Sequence, residues 1–474
     1  MAASFLAVVF STTLFSGIVV FVCKLFGCIR KEKPIDLLPR GSMGWFPFLG
    51  ETLAFLKPHK SNSIGTFLQQ HCSRYGNIFK SHLFGGPTIV SCDLEFNVFI
   101  LQNEERLFQT SYPKPVHDIL GKLSMMLVSG DLHKKLRSAA VSFINVSKSS
   151  PDFLSYVDDL CISLVDSWRD KKQVVFFKEA KELTFYLMLK NLLSIEPEDP
   201  IAGEILGDFL TFMKGFVSLP ILIPGTAYAK AVKARKRISY TLKEMIRNRE
   251  NEGMHKKRGD FLDELLGKVW LNDEEKVSIL LDLLLAGYET TSGLMALVVY
   301  FLAHSPSSLQ TLKDEHQALR KTKKDGEPLN WEDFKKMEFT SHVISESLRC
   351  GNLVKFVHRR ALKDVKFKEY VIPGGWQVLP IFTAAHLDPS IHEHPLEFNP
   401  WRWADQTTSK KVTPFGGGLR ICPGAELGKL EIAFFLHHFV LHFRWEAKEE
   451  DCPISCPYLD FKRGLVLQIH QLHK

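Results

Sequence analysis

Thr413-Pro414-Phe415-Gly416-Gly417-Gly418-Leu419-Arg420-Ile421-Cys422-Pro423-Gly424 places one cysteine in a glycine-rich turn, and the apolar run from about Ala425 to Phe439 predicts a helix just beyond it. Amides at a helix N-terminus stabilise negative charge and lower a thiol's pKa, while glycines let a flat ligand or a backbone approach closely. A thiolate ligand needs both. The remaining cysteines, Cys23, Cys28, Cys72, Cys92, Cys161, Cys350, Cys452 and Cys456, read as inert thiols. Nine in all, with no CxxC pair, they fit neither a secreted disulfide framework nor a structural zinc site, and they point to a reducing compartment.

Upstream, the longest helical pattern opens at Asn272, an N-cap with Glu275 three residues on as its capping-box partner and Asp273 and Glu274 at the positive end of the helix dipole. It runs to about His304, before Pro306. Its centre, Ile279 to Gly287, is apolar nearly all round, which marks a helix buried in the middle of a protein. Gly287-Tyr288-Glu289-Thr290-Thr291-Ser292-Gly293 then puts a carboxylate, hydroxyls and glycines into that core. Adjacent threonines can bend a helix by bonding back to its carbonyls, so on these residues alone the segment reads equally as a structural kink or as a polar site.

Four motifs occur in one order along the chain. Ala286-Gly287-Tyr288-Glu289-Thr290-Thr291 comes first, then Glu346-Ser347-Leu348-Arg349, then Pro400-Trp401-Arg402-Trp403, and last Phe415-x-x-Gly418-x-Arg420-x-Cys422-x-Gly424. Together they resemble the oxygen-activation segment, the ExxR pair, its arginine-bearing partner and the haem-binding signature of the cytochromes P450. The resemblance covers essentially the whole chain. It implies the cytochrome P450 fold, mainly α with a small β part, and haem b as cofactor. Cys422 would be the axial iron ligand, with Phe415 and Gly424 beside it. Arg420, Arg359, Arg137 and His133 would reach the haem propionates, His133 standing where many relatives have Trp. Glu346, Arg349 and Arg402 would form a buried structural ion triad. Glu289 and Thr290 resemble the acid and alcohol that route protons to dioxygen. The implied reaction is a monooxygenation that consumes two electrons and two protons.

With no GxGxxG and no P-loop, the chain is expected to draw electrons from NADPH through a separate NADPH-cytochrome P450 reductase. His133-Lys134-Lys135, Lys410-Lys411, Arg420 and Lys429 could make a positive face for it, or be solvated charges. A net charge of +7 over 474 residues is too dilute for a nucleic-acid binder, and 45% hydrophobic with 24% charged residues excludes a disordered chain. The expected protein is a monomer.

Ser4 to Val22 is an uncharged, mostly apolar run long enough to span a bilayer, followed by Lys24, Arg30, Lys31 and Lys33. That bias predicts a single-pass endoplasmic reticulum anchor over 1–33 with the catalytic domain in the cytoplasm. A Pro/Gly hinge over 34–50 and one haem-thiolate domain over 51–474 complete the expected organisation. Helical spacing dominates from about 150 to 350, and strands are expected within Ile78 to Val90 and between Phe356 and Leu379. The apolar Phe216 to Gly225, followed by the basic Lys230 to Arg237, suits a loop dipping into a membrane. Asn145-Val146-Ser147 is a glycosylation sequon that a cytoplasmic domain would never expose to the transferase.

Within the family, Gly351 to Val365, Ile372 to Pro380, Phe398 to Trp403 and Leu436-His437-His438 resemble the plant sterol-oxidising group, specifically the brassinosteroid C-22 hydroxylases. The resemblance implies hydroxylation of the side chain of a campesterol-type sterol. Val354, Phe356 and Val357 would line its pocket, with Met125, Phe209, Phe216, Ala286 and Leu465 as further candidates. Rival readings are oxidation of abscisic acid, a gibberellin precursor or a triterpene, a haem-thiolate isomerase or lyase, and a non-catalytic membrane-anchored binding protein. The chain departs from its relatives in a short meander, only Ala404 to Val412, and in Leu419, Pro423 and the inserted Phe46.

Overall fold

The computed structural model describes residues 37–44, 49–253, 257–324, 326–456 and 458–472, and is built around the helix that begins after Asn272. The anchor read at Ser4 to Val22 and hinge residues 45–48, Phe46 included, lie outside the described residues. Both halves of the expected capping box form: the Glu275 amide donates to Asn272 Oδ1 at 2.9 Å and the Asn272 amide to Glu275 Oε2 at 3.0 Å. Beyond it the helix is apolar nearly all round, and every residue from Glu275 to Leu284 is buried. Among the described residues it is the one helix long and apolar enough to cross a membrane, yet 72% of its apolar window is buried in the protein, as befits a core helix.

The polar insertion changes the helix's pitch. Gly287–Thr291 is a π-turn between the α segments Asp273–Ala286 and Ser292–Ala303. Thr290 Oγ1 donates to the Ala286 carbonyl at 2.7 Å and Ser292 Oγ to that of Tyr288 at 2.6 Å, so hydroxyls take up carbonyls in the widened turn. Gly287 gives Met188 of the Phe176–Leu193 helix its room, since a Cβ there would lie 2.4 Å from Met188 Sδ and the methionine would have to move.

Around this axis stand the Phe176–Leu193, Glu338–Gly351 and Ala425–His442 helices, which share one continuous apolar core. A five-stranded sheet lies apart, in the order Ile78–Leu83, Gly86–Ser91, Gln377–Pro380, Arg359–Ala361, Phe108–Thr110. Its strands fall in the two stretches read from sequence, with Phe108–Thr110 added. The first pair is a tight antiparallel hairpin with Leu83 opposite Gly86, while Gly86–Ser91 runs parallel to Gln377–Pro380. Arg359 opposite Val378 and Thr110 fixes the strand end that faces the core. Of two three-stranded sheets, one has the order His59–Lys60, Pro453–Cys456, Tyr458–Phe461 and the other Phe443–Ala447, Val466–Gln471, Gln173–Val175. The sequon falls in the last turn of the Gly130–Ser147 helix, where the Ser147 hydroxyl is buried and donates to Phe143 O at 3.1 Å.

Candidate active site

Between the π-turn and the Phe415–Gly424 loop lies a partly open cavity. Thr290, Thr291 and Leu294 line it from the central helix, and Phe415, Cys422 and Gly424 from the loop. The loop's path needs its glycines. Gly416 and Gly418 have φ of +72° and +62°, and a Cβ on Gly418 would lie 2.0 Å from the Leu101 carbonyl. The Cys422 amide donates to Phe415 O at 3.0 Å, which turns the cysteine inward just before the Ala425–His442 helix. Cys422 is open to the cavity it lines but is otherwise enclosed by protein.

The thiol does not follow the sequence expectation of a lowered pKa. Burial pushes it up, against the opposing pull of the Gly424 amide and the Arg137 guanidinium. A cation at the sulfur is what reverses such a balance, because coordination deprotonates a thiol outright. Arg137 stands by with Nη2 on the Ile421 carbonyl at 2.5 Å.

One wall of the cavity is basic. Arg359 and Arg420 both line it, and Glu104, buried below, joins them: Arg359 Nε lies 2.6 Å from Oε2 and Arg420 Nε 2.7 Å from Oε1. Arg420 also donates to Met125 O at 3.1 Å and Val128 O at 2.5 Å, so it is fixed inside the protein and is not a surface charge for a redox partner. His133 is buried beside this cluster, its pKa lowered to about 4 by burial and by Arg420 and Arg137, so it is a neutral donor. The residues therefore fit a haem. A thiol faces an apolar slot, two guanidiniums stand at one edge where carboxylates would meet them, and glycines leave the loop face flat.

The opposite side divides the two residues read as a proton-routing pair. Thr290 faces the cavity. Glu289 instead turns to Lys181 of the Phe176–Leu193 helix, 3.6 Å away, and burial raises its pKa against the pull of that ammonium. Of the pocket residues read from sequence, Val354 and Val357 line the cavity, joined by Leu353 and Phe382. Ala286 is exposed one turn before Thr290. Phe356 packs instead against the rings of Phe55 and Phe84, on the side opposite its neighbour Val357, while Val354 lies in the bend before it. Leu465 and Phe209 are fully buried in the main core, Phe216 meets the Tyr458 ring edge-on, and Met125 is half-buried.

Behind the loop, Glu346, Arg349 and Arg402 meet as expected. Both Glu346 oxygens accept from Arg349, at 2.7 and 2.9 Å, and Oε1 also accepts from Arg402 Nε at 2.9 Å. Charge and hydrogen bonds hold the buried Glu346 carboxyl below its usual range. Trp403 completes the site, its Nε1 donating to Glu346 Oε2 at 2.9 Å. His386, missed in the sequence, accepts the Thr413 amide on Nε2 at 3.0 Å and pins the start of the cysteine loop. Glu104 and Lys181 were also missed; neither sits at a diagnostic spacing.

A family model described as Cytochrome P450 matches residues 39–471. Cytochrome P450 724B1 of Oryza sativa subsp. japonica is 55% identical over 443 residues, covering 92% of each chain. Cholesterol 22-monohydroxylase CYP90B52 of Paris polyphylla is 44% identical, over 94% of this chain and 95% of its own. Steroid (22S)-hydroxylase of Brachypodium distachyon is 40% identical, over 95% and 91%. Among solved structures, retinoic acid bound cyanobacterial CYP120A1 superposes with a TM-score of 0.81 at 25% identity, over 93% of this chain and 100% of that one.

Proposed function

The chain belongs to the cytochrome P450 family, and we propose that it hydroxylates the side chain of a campesterol-type sterol at C-22, a step of brassinosteroid synthesis. The observation that carries the reading is the cavity itself, with a cysteine and two arginines at its edges, Thr290 and Thr291 on the central helix and a largely apolar remainder. Relatives named for 22-hydroxylation of cholesterol and steroids, aligned over nearly their whole length, support the substrate class. Leu294, Leu353, Val354, Val357 and Phe382 offer a sterol skeleton apolar contact without an unpaired polar group.

Cys422 would hold the haem iron, and Arg359, Arg420 and neutral His133 would hold its propionates. When bound, the haem supplies dioxygen activation and insertion of one oxygen atom into a C–H bond. The protein's part is proton supply and pose. Thr290 Oγ1 now gives its proton to the Ala286 carbonyl, and by turning out of that bond it can hand a proton into the cavity. Glu289, with its pKa raised by burial, can carry a proton from the Lys181 side to the π-turn. Electrons come from NADPH through a separate reductase. Lys410 is exposed and available to it, Lys134 is exposed in a surface pair with Asp131 at 3.3 Å, and Lys135 is engaged with Glu275 at 2.7 Å and Lys429 with Glu426 at 3.2 Å.

Residues 4–22 anchor the protein in the endoplasmic reticulum membrane, with one catalytic domain on the cytoplasmic side. The exposed Val217, Leu219, Leu222 and Ile223, beside the basic start of the Ala227–Glu252 helix, make a second membrane contact by which an oily substrate enters. The test is turnover of campesterol and cholesterol by microsomes carrying the full chain, reductase and NADPH. A 22-hydroxylated product supports the reading, and oxidation at another position or of no sterol overturns it.

A further inference from the structure

Asp282 is a fully buried carboxylate on the central helix that the chemistry above does not use. It lies one turn before Ala286 and two before Thr290, on the face that leads to the cavity. Both of its oxygens are occupied by one short segment: Ser124 Oγ donates to Oδ1 at 2.8 Å and the Met125 amide to Oδ2 at 2.6 Å. The same segment is held at two further points. Arg235, from the Ala227–Glu252 helix, donates from Nε to the Leu120 carbonyl at 3.0 Å, and a Cβ on Gly121 would strike its guanidinium at 2.0 Å. Arg420 takes the carbonyls of Met125 and Val128. Between these anchors the segment is barely structured, with turn bonds from Leu127 and Val128 to Ser124 O, so its position is set by what grips it.

We propose that Asp282 is a positioning residue that fixes the Gly121–Ser129 segment against Arg420 at the cavity's edge, and thereby sets which side-chain carbon of the bound sterol is presented for oxidation. The segment joins the distal helix, through Asp282, to the haem-edge cluster of Arg420, Glu104 and Arg359. A carboxylate suits the task because it accepts on both oxygens at once. An asparagine offers one neutral acceptor in place of a charged pair, so the Met125 amide keeps a weaker partner and the Ser124 hydroxyl must turn about to accept from the NH2. Met125 is central, since its amide belongs to Asp282 and its carbonyl to Arg420, so a shift at one end is felt at the other. A displacement of about 1 Å passed on to Arg420, which does line the cavity, is enough to redirect attack between neighbouring carbons.

The choice of carbon rests on the sterol reading; the anchoring does not. Asp282→Asn and Ser124→Ala are made in the full chain and isolated as holoprotein in microsomes. Three readouts are taken: hydrogen exchange of the 121–129 peptide, the campesterol-induced spin shift, and the distribution of oxidised campesterol products. The expected result is haem content as in wild type, exchange of the segment about ten-fold faster, and half-saturation by campesterol raised about five-fold. A second product oxidised away from the main carbon should appear, with total kcat changed by less than about two-fold. Ser124→Ala removes a single bond from the segment's side, so it carries the test if Asp282→Asn does not fold. Unchanged exchange overturns the anchoring. Faster exchange with unchanged half-saturation and products makes Asp282 purely structural and overturns its role in positioning substrate. If wild type gives neither spin shift nor product with campesterol, the sterol reading falls, and the exchange comparison alone decides whether Asp282 fixes the segment.

Discussion

Replacing Glu346 with alanine strikes one of the most heavily bonded side chains among the described residues. Its two oxygens accept five donors: two from Arg349, one from Arg402, the Trp403 indole and the Asn399 amide, all at 2.7–3.0 Å. Neither Glu346 nor Arg349 is exposed at all. Alanine leaves five donors unpaired at about 1 kcal/mol each, near the about 3–5 kcal/mol typical of breaking one side of a buried ion pair. Total stabilities run at about 5–15 kcal/mol, so the variant should sit near the edge of folding. Urea unfolding of the full chain, followed by tryptophan fluorescence, should show the midpoint fall by the equivalent of about 4 kcal/mol. Glu346→Gln, which keeps acceptor and shape, should lose less. Glu393→Ala, on a side chain 90% exposed, should change almost nothing. A Glu346→Ala loss below about 1 kcal/mol would refute the reasoning that this network holds the loop side of the core together.

Three further outcomes follow from other buried groups. Glu431 is held up to about 8 by burial alone, so between its unfolded pKa of about 4.3 and pH 8 the folded state keeps a proton that the unfolded state releases. Folding stability from this group is thus lost as pH rises, and Glu431→Gln should gain on wild type by about 1.4 kcal/mol per pH unit between pH 5.5 and 7, read from urea midpoints at the two values. His437 has the opposite sign: burial lowers it to about 2, below an unfolded value of about 6.5, so its contribution is lost as pH falls through that value. His437→Gln should gain about 1 kcal/mol on wild type from pH 7 to 5.5, and a constant difference would show that His437 titrates normally. Gly418→Ala must place a Cβ 2.0 Å from the Leu101 carbonyl at a φ of +62°, and haem content after purification should fall several-fold, whereas Gly203→Ala, with nothing within 4 Å, should keep it.

Much of this was legible in the sequence because it is local. The Asn272 capping box, the break at Gly287 to Gly293 and the glycine turn around Cys422 depend on residues within a few positions of one another, and the structure has all three. Glu346, Arg349 and Arg402 were legible through their motifs. What the sequence hid is long-range. Glu104 earns its place only because the Arg359 strand and the cysteine loop converge on it, and Asp282 looks like an interruption in a leucine run until Ser124 and Met125 are seen against it. Phe356 shows the limit of reading by neighbourhood, since flanking residues on extended chain point opposite ways. The strands after Phe443 did carry a signal, the alternation Phe443-Arg444-Trp445-Glu446 buried and exposed in turn, which went unread.

The central claim is that Cys422 holds a haem iron as thiolate in this cavity. Its most direct test is the reduced carbon monoxide difference spectrum of microsomes carrying the full chain, wild type beside Cys422→Ser. The account predicts a Soret band at the thiolate position in wild type and its loss in the variant at equal protein level. The same band in both, or none in well-folded wild type, would contradict it.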